Sequence, residues 1–273
     1  MSSLVSVLMT SYNRPKLISR AILSVINQSY QNWELIIVDD ASTDNAPTIL
    51  KEWANKEKRI KVIINERNLW QQFGLSPNLN KGVNLSKGKY IARLDDDDYW
   101  INKDKIKKQV EFLENNPDYV VCGGGAIVED KSGKEIFRYL KNEKDKEIRK
   151  KSLFANPFTN TTAIFLKTAF EKAGGYEDWH YAEDWDLWLK LGTLGKFYNF
   201  QEYFTCYLVA GYSFVYQKSL SKMILKIIKK HKKNYPNFWA AYIFNYLQYL
   251  YSFLPLFLKQ ISYPILARLK RSI

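Results

Sequence analysis

The chain has 273 residues, 46% of them hydrophobic, enough for one large α/β domain or two small ones. Its two cysteines, Cys122 and Cys206, form neither a disulfide framework nor a zinc-binding spacing, and they fit a reducing compartment. The net charge of +13 sits almost wholly in residues 218–273, which hold 11 Lys and Arg and no Asp or Glu, so residues 1–217 are near neutral.

The opening residues lack the basic start and long apolar run of a secretory signal. Val5-Ser6-Val7-Leu8-Met9 alternates and is rich in β-formers, which predicts a strand. Pro15 suits a helix start, and Leu17, Ile18, Ala21, Ile22, Val25 and Ile26 repeat as one helical stripe. The apolar run 34–38, ending in Asp39-Asp40, reads as a buried parallel strand. Pro47 opens a second helix, 60–64 is a third strand, and Leu79, Val83 and Leu85 mark a helix ending near Gly88. Residues 90–94 form a fourth strand, and 105–115 a helix stopped at Asn116-Pro117. Beyond 119 the spacing predicts two short strands around Gly123-Gly124-Gly125. A charged loop with a short helix is expected over 130–151, a strand within 156–166, a turn at Gly174-Gly175-Tyr176 and a helix over 184–194. Strands alternating with helices imply an α/β fold, a Rossmann-like, mostly parallel sheet with helices on both faces and its ligand at the carboxyl ends of the strands.

Three polar clusters fall at such ends: Thr10-Ser11-Tyr12-Asn13-Arg14, Asp39-Asp40 and Asp95-Asp96-Asp97-Asp98. Four adjacent carboxylates repel one another, and each resists ionising beside the next. A hard cation removes the conflict, and carboxylates with phosphate oxygens suit Mg²⁺ or Mn²⁺. The plain alternative for such a run is a solvated acidic loop.

The segments Val5-Ser6-Val7-Leu8-Met9-Thr10-Ser11-Tyr12-Asn13-Arg14, Ile36-Ile37-Val38-Asp39-Asp40-Ala41-Ser42-Thr43-Asp44, Gly88-Lys89-Tyr90-Ile91-Ala92-Arg93-Leu94-Asp95-Asp96-Asp97-Asp98 and Ala182-Glu183-Asp184-Trp185-Asp186-Leu187-Trp188-Leu189 resemble, in order, the motifs of family 2 glycosyltransferases. The resemblance spans roughly residues 4–195. It implies a GT-A fold, a nucleotide-sugar donor, a divalent metal (Mn²⁺ or Mg²⁺) and transfer with inversion. Asp40 matches the residue that hydrogen-bonds the uracil of the donor, and Tyr12 stacks beside the base or simply packs. Thr10 and Arg14 share that donor-side loop. Asp97 would hold the metal, while Asp95 or Asp96 faces the ribose or a metal-bound water. Arg93 pairs with an Asp or a phosphate, or forms a purely structural ion pair.

Asp184 matches the catalytic base, with Glu183 beside it. A sugar hydroxyl is a poor nucleophile, so a carboxylate must take its proton as it attacks. The plain alternative for this pair is an acidic first helical turn favoured by the helix dipole. The Gln-x-x-Arg-Trp motif of processive synthases is absent, which points to single-sugar addition. Trp70-Gln71-Gln72-Phe73 and Ile101-Asn102-Lys103-Asp104 depart from the family pattern. The rival readings are a sugar-phosphate nucleotidyltransferase, a basic nucleic-acid-binding or membrane-binding protein, and an inactive relative.

The domain division expected is 1–217 catalytic and 218–273 a helical, basic and aromatic tail. In residues 219–233, Leu220, Met223, Ile224, Ile227 and Ile228 share one helical face with lysines largely on the others. Residues 237–258 carry no charge and many aromatics. An in-plane anchor on anionic lipid is the favoured use. Packing on the body or a second subunit, and a true span, are the other two. Basic residues return at Lys259, Arg268, Lys270 and Arg271. This layout suits lipid better than nucleic acid and fits a cytoplasmic enzyme peripheral to the inner membrane face. A glycan or lipid-linked acceptor follows, with room for a homo-oligomer.

Overall fold

A computed structural model of the chain describes residues 2–208, 217–255 and 257–259. Its first half alternates as the apolar pattern requires: β1 (Val5–Ser11), α1 (Ile18–Ile26), β2 (Trp33–Asp39), α2 (Ala46–Lys56), β3 (Ile60–Ile64), α3 (Trp70–Phe73), α4 (Ser76–Leu85) and β4 (Tyr90–Arg93). β1 and β2 are buried at every position, because parallel strands covered by helices on both faces have no solvent side. These strands pair in parallel in the order β3-β2-β1-β4.

The second half adds β5 (Tyr99–Trp100), α5 (Lys105–Asn115), β6 (Tyr119–Glu129), β7 (Glu135–Tyr139), α6 (Asp145–Lys151), β8 (Ile164–Leu166), α7 (Lys167–Lys172), α8 (Glu183–Leu191) and β9 (Lys196–Leu208). The sheet continues from β4 through β8, β6 and β9 to β5, with β7 on the side of β6. Here the pairing is mixed: β8 runs antiparallel to both β4 and β6, while β6 and β9 are parallel. The mostly parallel expectation therefore holds only for the first four strands.

The two short strands expected around the glycines form one, β6. A side chain at Gly124 would lie 2.5 Å from the Phe204 ring, so glycine lets β6 and β9 approach here, and the register shifts at Gly123 and Gly125. The expected loop after 130 contains strand β7.

The tail differs most from expectation. In α9 (Gln217–Lys230) Ile227 and Ile228 are fully buried in one hydrophobic cluster with Leu187, Trp188 and Leu191 of α8. The apolar face assigned to lipid is thus turned largely into the body, since burial against α10 and the core shared with α8 removes the same surface from water. Lys230 Nζ and His231 Nε2 lie 2.9 and 2.8 Å from Asp186 Oδ1, and Tyr235 donates to the Leu189 carbonyl at 2.8 Å. A division at 217/218 consequently cuts through a shared core.

α10 (Phe238–Tyr251) buries Ala241 and Asn245, and Asn245 Nδ2 donates to the Leu153 carbonyl at 3.0 Å. Its other side leaves Trp239, Ile243, Tyr246, Leu247 and Leu250 exposed. No helix among the described residues is long and apolar enough to cross a membrane. Arg268, Lys270 and Arg271 lie outside the described residues.

Candidate active site

The loops after β1 and β2 are tied to each other. Asn13 and Ala41 both take left-handed backbone conformations, with φ of 52° and 62°. The Asn13 amide donates to Ser42 Oγ at 2.9 Å, and the Thr43 amide donates to Asn13 Oδ1 at 2.8 Å. Thr10 and Ser11 are buried at the end of β1, whereas Tyr12 stays 44% exposed.

Asp40 is buried, and its carboxylate accepts hydrogen bonds from Asn65 Nδ2 (3.0 Å), the Leu69 amide (3.0 Å) and the Trp70 amide (3.1 Å). It therefore anchors the segment leading into α3. Asn65 in turn donates to Asn78 Oδ1 at 2.6 Å and accepts from Lys81 at 2.8 Å. The ring of Trp70 then lies 4.8 Å from His180 and 6.4 Å from Tyr181. Gly74 (φ 69°) passes so close that a Cβ would sit 2.9 Å from the His180 Cα. The loop below Asp40 thus meets the loop that precedes Asp184.

The four aspartates do not point together, because residues 95–98 form a turn closed by the Asp98 amide and the Asp95 carbonyl at 3.2 Å. Asp95 takes Arg93 Nη2 at 2.8 Å and Asn160 Nδ2 at 3.2 Å. Arg93 is buried, and its other terminal nitrogen donates to the Leu8 carbonyl at 3.2 Å. Asp96 accepts the Tyr12 amide at 3.3 Å and lies 3.6 Å from Arg14, whose guanidinium also pairs directly with Asp97. Asp98 turns inward and accepts the Leu208 amide at 3.2 Å. Burial pushes the Asp96 carboxyl up to about 6 against the pull of Arg14. Burial and then the charge of Asp95 drive Asp98 well above the carboxylate range.

Asp184 stands in the first turn of α8, reached through Ala182 in a left-handed conformation (φ 61°). Asn156 Nδ2 donates to its Oδ2 at 2.8 Å, and the Trp185 amide to its Oδ1 at 2.7 Å. Burial raises the Asp184 pKa, these two donors lower it, and Asp95 raises it again. Glu183 is buried and is pushed up first by burial and then by the charge of Asp184. The two donors favour the charged form of Asp184, and Glu183 and Asp184 titrate as a coupled pair. Among the smaller electrostatic influences on both acids are the charges of Asp95, which raises them, and Arg93, which lowers them.

Tyr12, Arg14, Arg93, Asp95, Asp96 and Asp97 are joined by hydrogen bonds and ion pairs at the carboxyl ends of β1 and β4, with Thr10 at the end of β1, while Glu183 and Asp184 stand at the start of α8. Asp40 reaches the loop before α8 through Trp70 and His180. A cavity of about 640 Å³ lined by Ser2, Tyr30, Asn32 and Glu111 lies at the opposite, amino ends of the strands and contains none of these residues. Among the described residues no three His, Cys, Asp or Glu side chains gather into a cage for an ion. The donor set at 95–97 is all carboxylate, the type Mg²⁺ and Mn²⁺ take when ligand phosphates supply the remaining oxygens.

Residues 6–174 match the family model described as Glycosyl transferase family 2. The chain is a family 2 glycosyltransferase. It is 37% identical over 203 residues to the putative glycosyltransferase EpsE of Bacillus subtilis, covering 72% of this chain and 70% of that protein. It is 36% identical over 129 residues to the UDP-Glc:alpha-D-GlcNAc-diphosphoundecaprenol beta-1,3-glucosyltransferase WfgD of Escherichia coli, covering 47% of this chain and 48% of that one. Its fold resembles that of the mannosyltransferase PcManGT from Pyrobaculum calidifontis in complex with GDP-Man and Mn²⁺. The TM-score is 0.68 at 17% identity, over 91% of this chain and 72% of that one. The transferase thus has the GT-A architecture that its motifs imply.

Sequence reasoning missed the asparagines of the transferase's site. Asn65, Asn156 and Asn160 lie outside the four motifs, and each acts by a hydrogen bond to an acid distant in the chain. Trp70 stood out only as a departure from the family pattern, with no sign of its contact to His180.

Proposed function

We propose that this transferase moves a single sugar, with inversion, from a nucleoside-diphosphate sugar to a hydroxyl of a glycan or lipid-linked acceptor in surface-polysaccharide synthesis. A UDP-sugar is the favoured donor. The observation that carries this reading is Asp184 in the first turn of α8, its carboxylate oxygens held by Asn156 and by the Trp185 amide. The diphosphoundecaprenol acceptor and UDP-Glc donor in the name of the Escherichia coli relative support the substrate classes. The Mn²⁺ of the Pyrobaculum complex supports a divalent ion.

Asp184 takes the proton of the acceptor hydroxyl as its oxygen attacks C1 of the donor sugar. One displacement from the face opposite the leaving group inverts the anomeric centre. Arg14, beside Asp96 and Asp97, would offer positive charge to the departing diphosphate. Asp40 orders the residues that border the base, with Tyr12 offering a ring face. Asp97 would hold the divalent ion, with Asp95 or Asp96 on the ribose side. When bound, that ion supplies Lewis-acid neutralisation of the leaving diphosphate.

The enzyme would work at the inner membrane face as a peripheral protein. Supporting this are the acid-free, lysine-rich stretch from 218 and the exposed apolar side of α10. The deciding experiment is saturation-transfer NMR over a panel of nucleotide sugars, with Mn²⁺ or Mg²⁺ against a chelator, followed by product analysis. Metal-dependent donor binding and release of free nucleoside diphosphate are expected. Release of pyrophosphate would instead identify a nucleotidyltransferase.

A further inference from the structure

The start of α10 and the residues just after α9 enclose a pocket of about 480 Å³ lined by Lys229, Lys232, Lys233, Phe238, Trp239 and Tyr242. It is separate from the catalytic cleft. The neighbouring Lys230 is spent on Glu177 and Asp186, but the three pocket lysines form no ion pair among the described residues. Stretches of positive charge without counter-charge are stable beside an anion. From the same pocket an apolar stripe runs down α10 at helical spacing: Trp239, Ile243, Leu247 and Leu250 are 74%, 58%, 59% and 47% exposed. It continues into Phe253 and Leu254, also exposed. This contiguous apolar row exceeds the scattered single residues of an ordinary surface.

The opposite side of α10 packs on the segment that leads to Asn156, the partner of Asp184. Asn245 holds the Leu153 carbonyl, Trp185 Nε1 donates to the Ser152 carbonyl at 2.7 Å, and Asn156 holds Asp184. Residues 152–156 therefore lie between the exposed stripe and the base.

We infer that this pocket binds the phosphate headgroup of an anionic membrane lipid, while the α10 stripe lies in the acyl region of the same bilayer. Cationic side chains at one end and aromatic and aliphatic ones along the helix match an amphiphile whose charge and chain are adjacent. A second copy of this chain would bring like-charged lysines together, which disfavours self-association through this face. The inference rests on the peripheral-membrane reading above. It adds which residues meet the headgroup and which meet the chains, and it puts the bilayer behind residues 152–156, close to where the acceptor hydroxyl is deprotonated.

The test is flotation of the full chain with vesicles of phosphatidylcholine alone and with added phosphatidylglycerol, with thermal melting as the folding control. Wild type should float with anionic vesicles and detach as salt rises. Each lysine near a charged surface is worth roughly fivefold in partitioning, so Lys229→Gln/Lys232→Gln/Lys233→Gln should weaken anionic binding by about a hundredfold. Ile243→Ser/Leu247→Ser should lose binding to every vesicle. Inorganic phosphate at millimolar level should not release the protein, because it lacks the chain that the stripe holds. Release by phosphate alone would overturn the lipid assignment. Unchanged anionic binding of the triple lysine variant would overturn the headgroup pocket and leave the peripheral-membrane reading intact. Failure of wild type to float with any vesicle would sink both while leaving the sugar-transfer chemistry untouched. A dimer in solution that Leu247→Ser dissociates would assign the stripe to a second copy instead.

Discussion

Replacing Lys230 by Met and His231 by Leu would leave Asp186 fully buried, with Lys190 at 3.6 Å as its only ion-pair partner among the described residues. Removing the partner of a buried charge costs about 3–5 kcal/mol. At about 2–4 °C per kcal/mol for a chain of this size, the melting temperature should fall by about 6–20 °C. Burial on its own pushes the Asp186 carboxyl up, but hydrogen bonds from His231 and Lys230 outweigh it and hold the group down at about 2. A lowered folded-state pKa stabilises above the unfolded value near 3.9, and that stabilisation disappears as pH falls through about 2. Melting by circular dichroism should therefore separate wild type from the double variant at pH 7 and bring them together as pH approaches 2. Adding Asp186→Leu to the double variant removes the stranded charge and should restore much of the lost stability. If the double and triple variants melt alike at pH 7, the charge on Asp186 is not what ties the tail to α8, and the reasoning fails.

Asp184→Asn should lower kcat by about 10²–10⁴-fold while calorimetry shows the donor still bound, and near-normal turnover would end the base assignment. Because burial raises the Asp184 pKa and the base must be ionised, the acid limb of the kcat profile should lie above the ordinary carboxylate value of about 3.9. A limb at or below that value would contradict it. Asp97→Asn should weaken Mn²⁺ binding measured with UDP present more than UDP binding measured alone. Ending the chain after residue 217 removes Ile227, Ile228, Tyr235 and Ala241 from the core, so the product should be insoluble or unfolded by circular dichroism.

Much of the first half of the fold is legible because β1, β2 and β4 are buried on both faces and its helices on one. The apolar runs at β1, β2, β3 and β4 have no other physical use, and the stripes of α1, α4 and α5 are unambiguous. β9 escapes notice because it contacts β6 on one side and β5 on the other through shifting registers, so its burial follows no simple period. α9 shows the opposite limit: its amphipathic pattern is real, but a pattern reports only that a face will be covered. Here α10 and the core that it shares with α8 cover it. The acids of the site were visible as motifs, whereas Asn65, Asn156 and Asn160 gain their meaning only from partners that folding brings near.

At Gly74 the two rims of the cleft clear each other by less than the width of a methyl group. Residues 69–74 and 179–182 therefore cannot be redesigned one at a time. A bulkier side chain on either rim pushes on the other. Any effort to retune which sugars this enzyme joins would have to transplant both stretches as a matched pair.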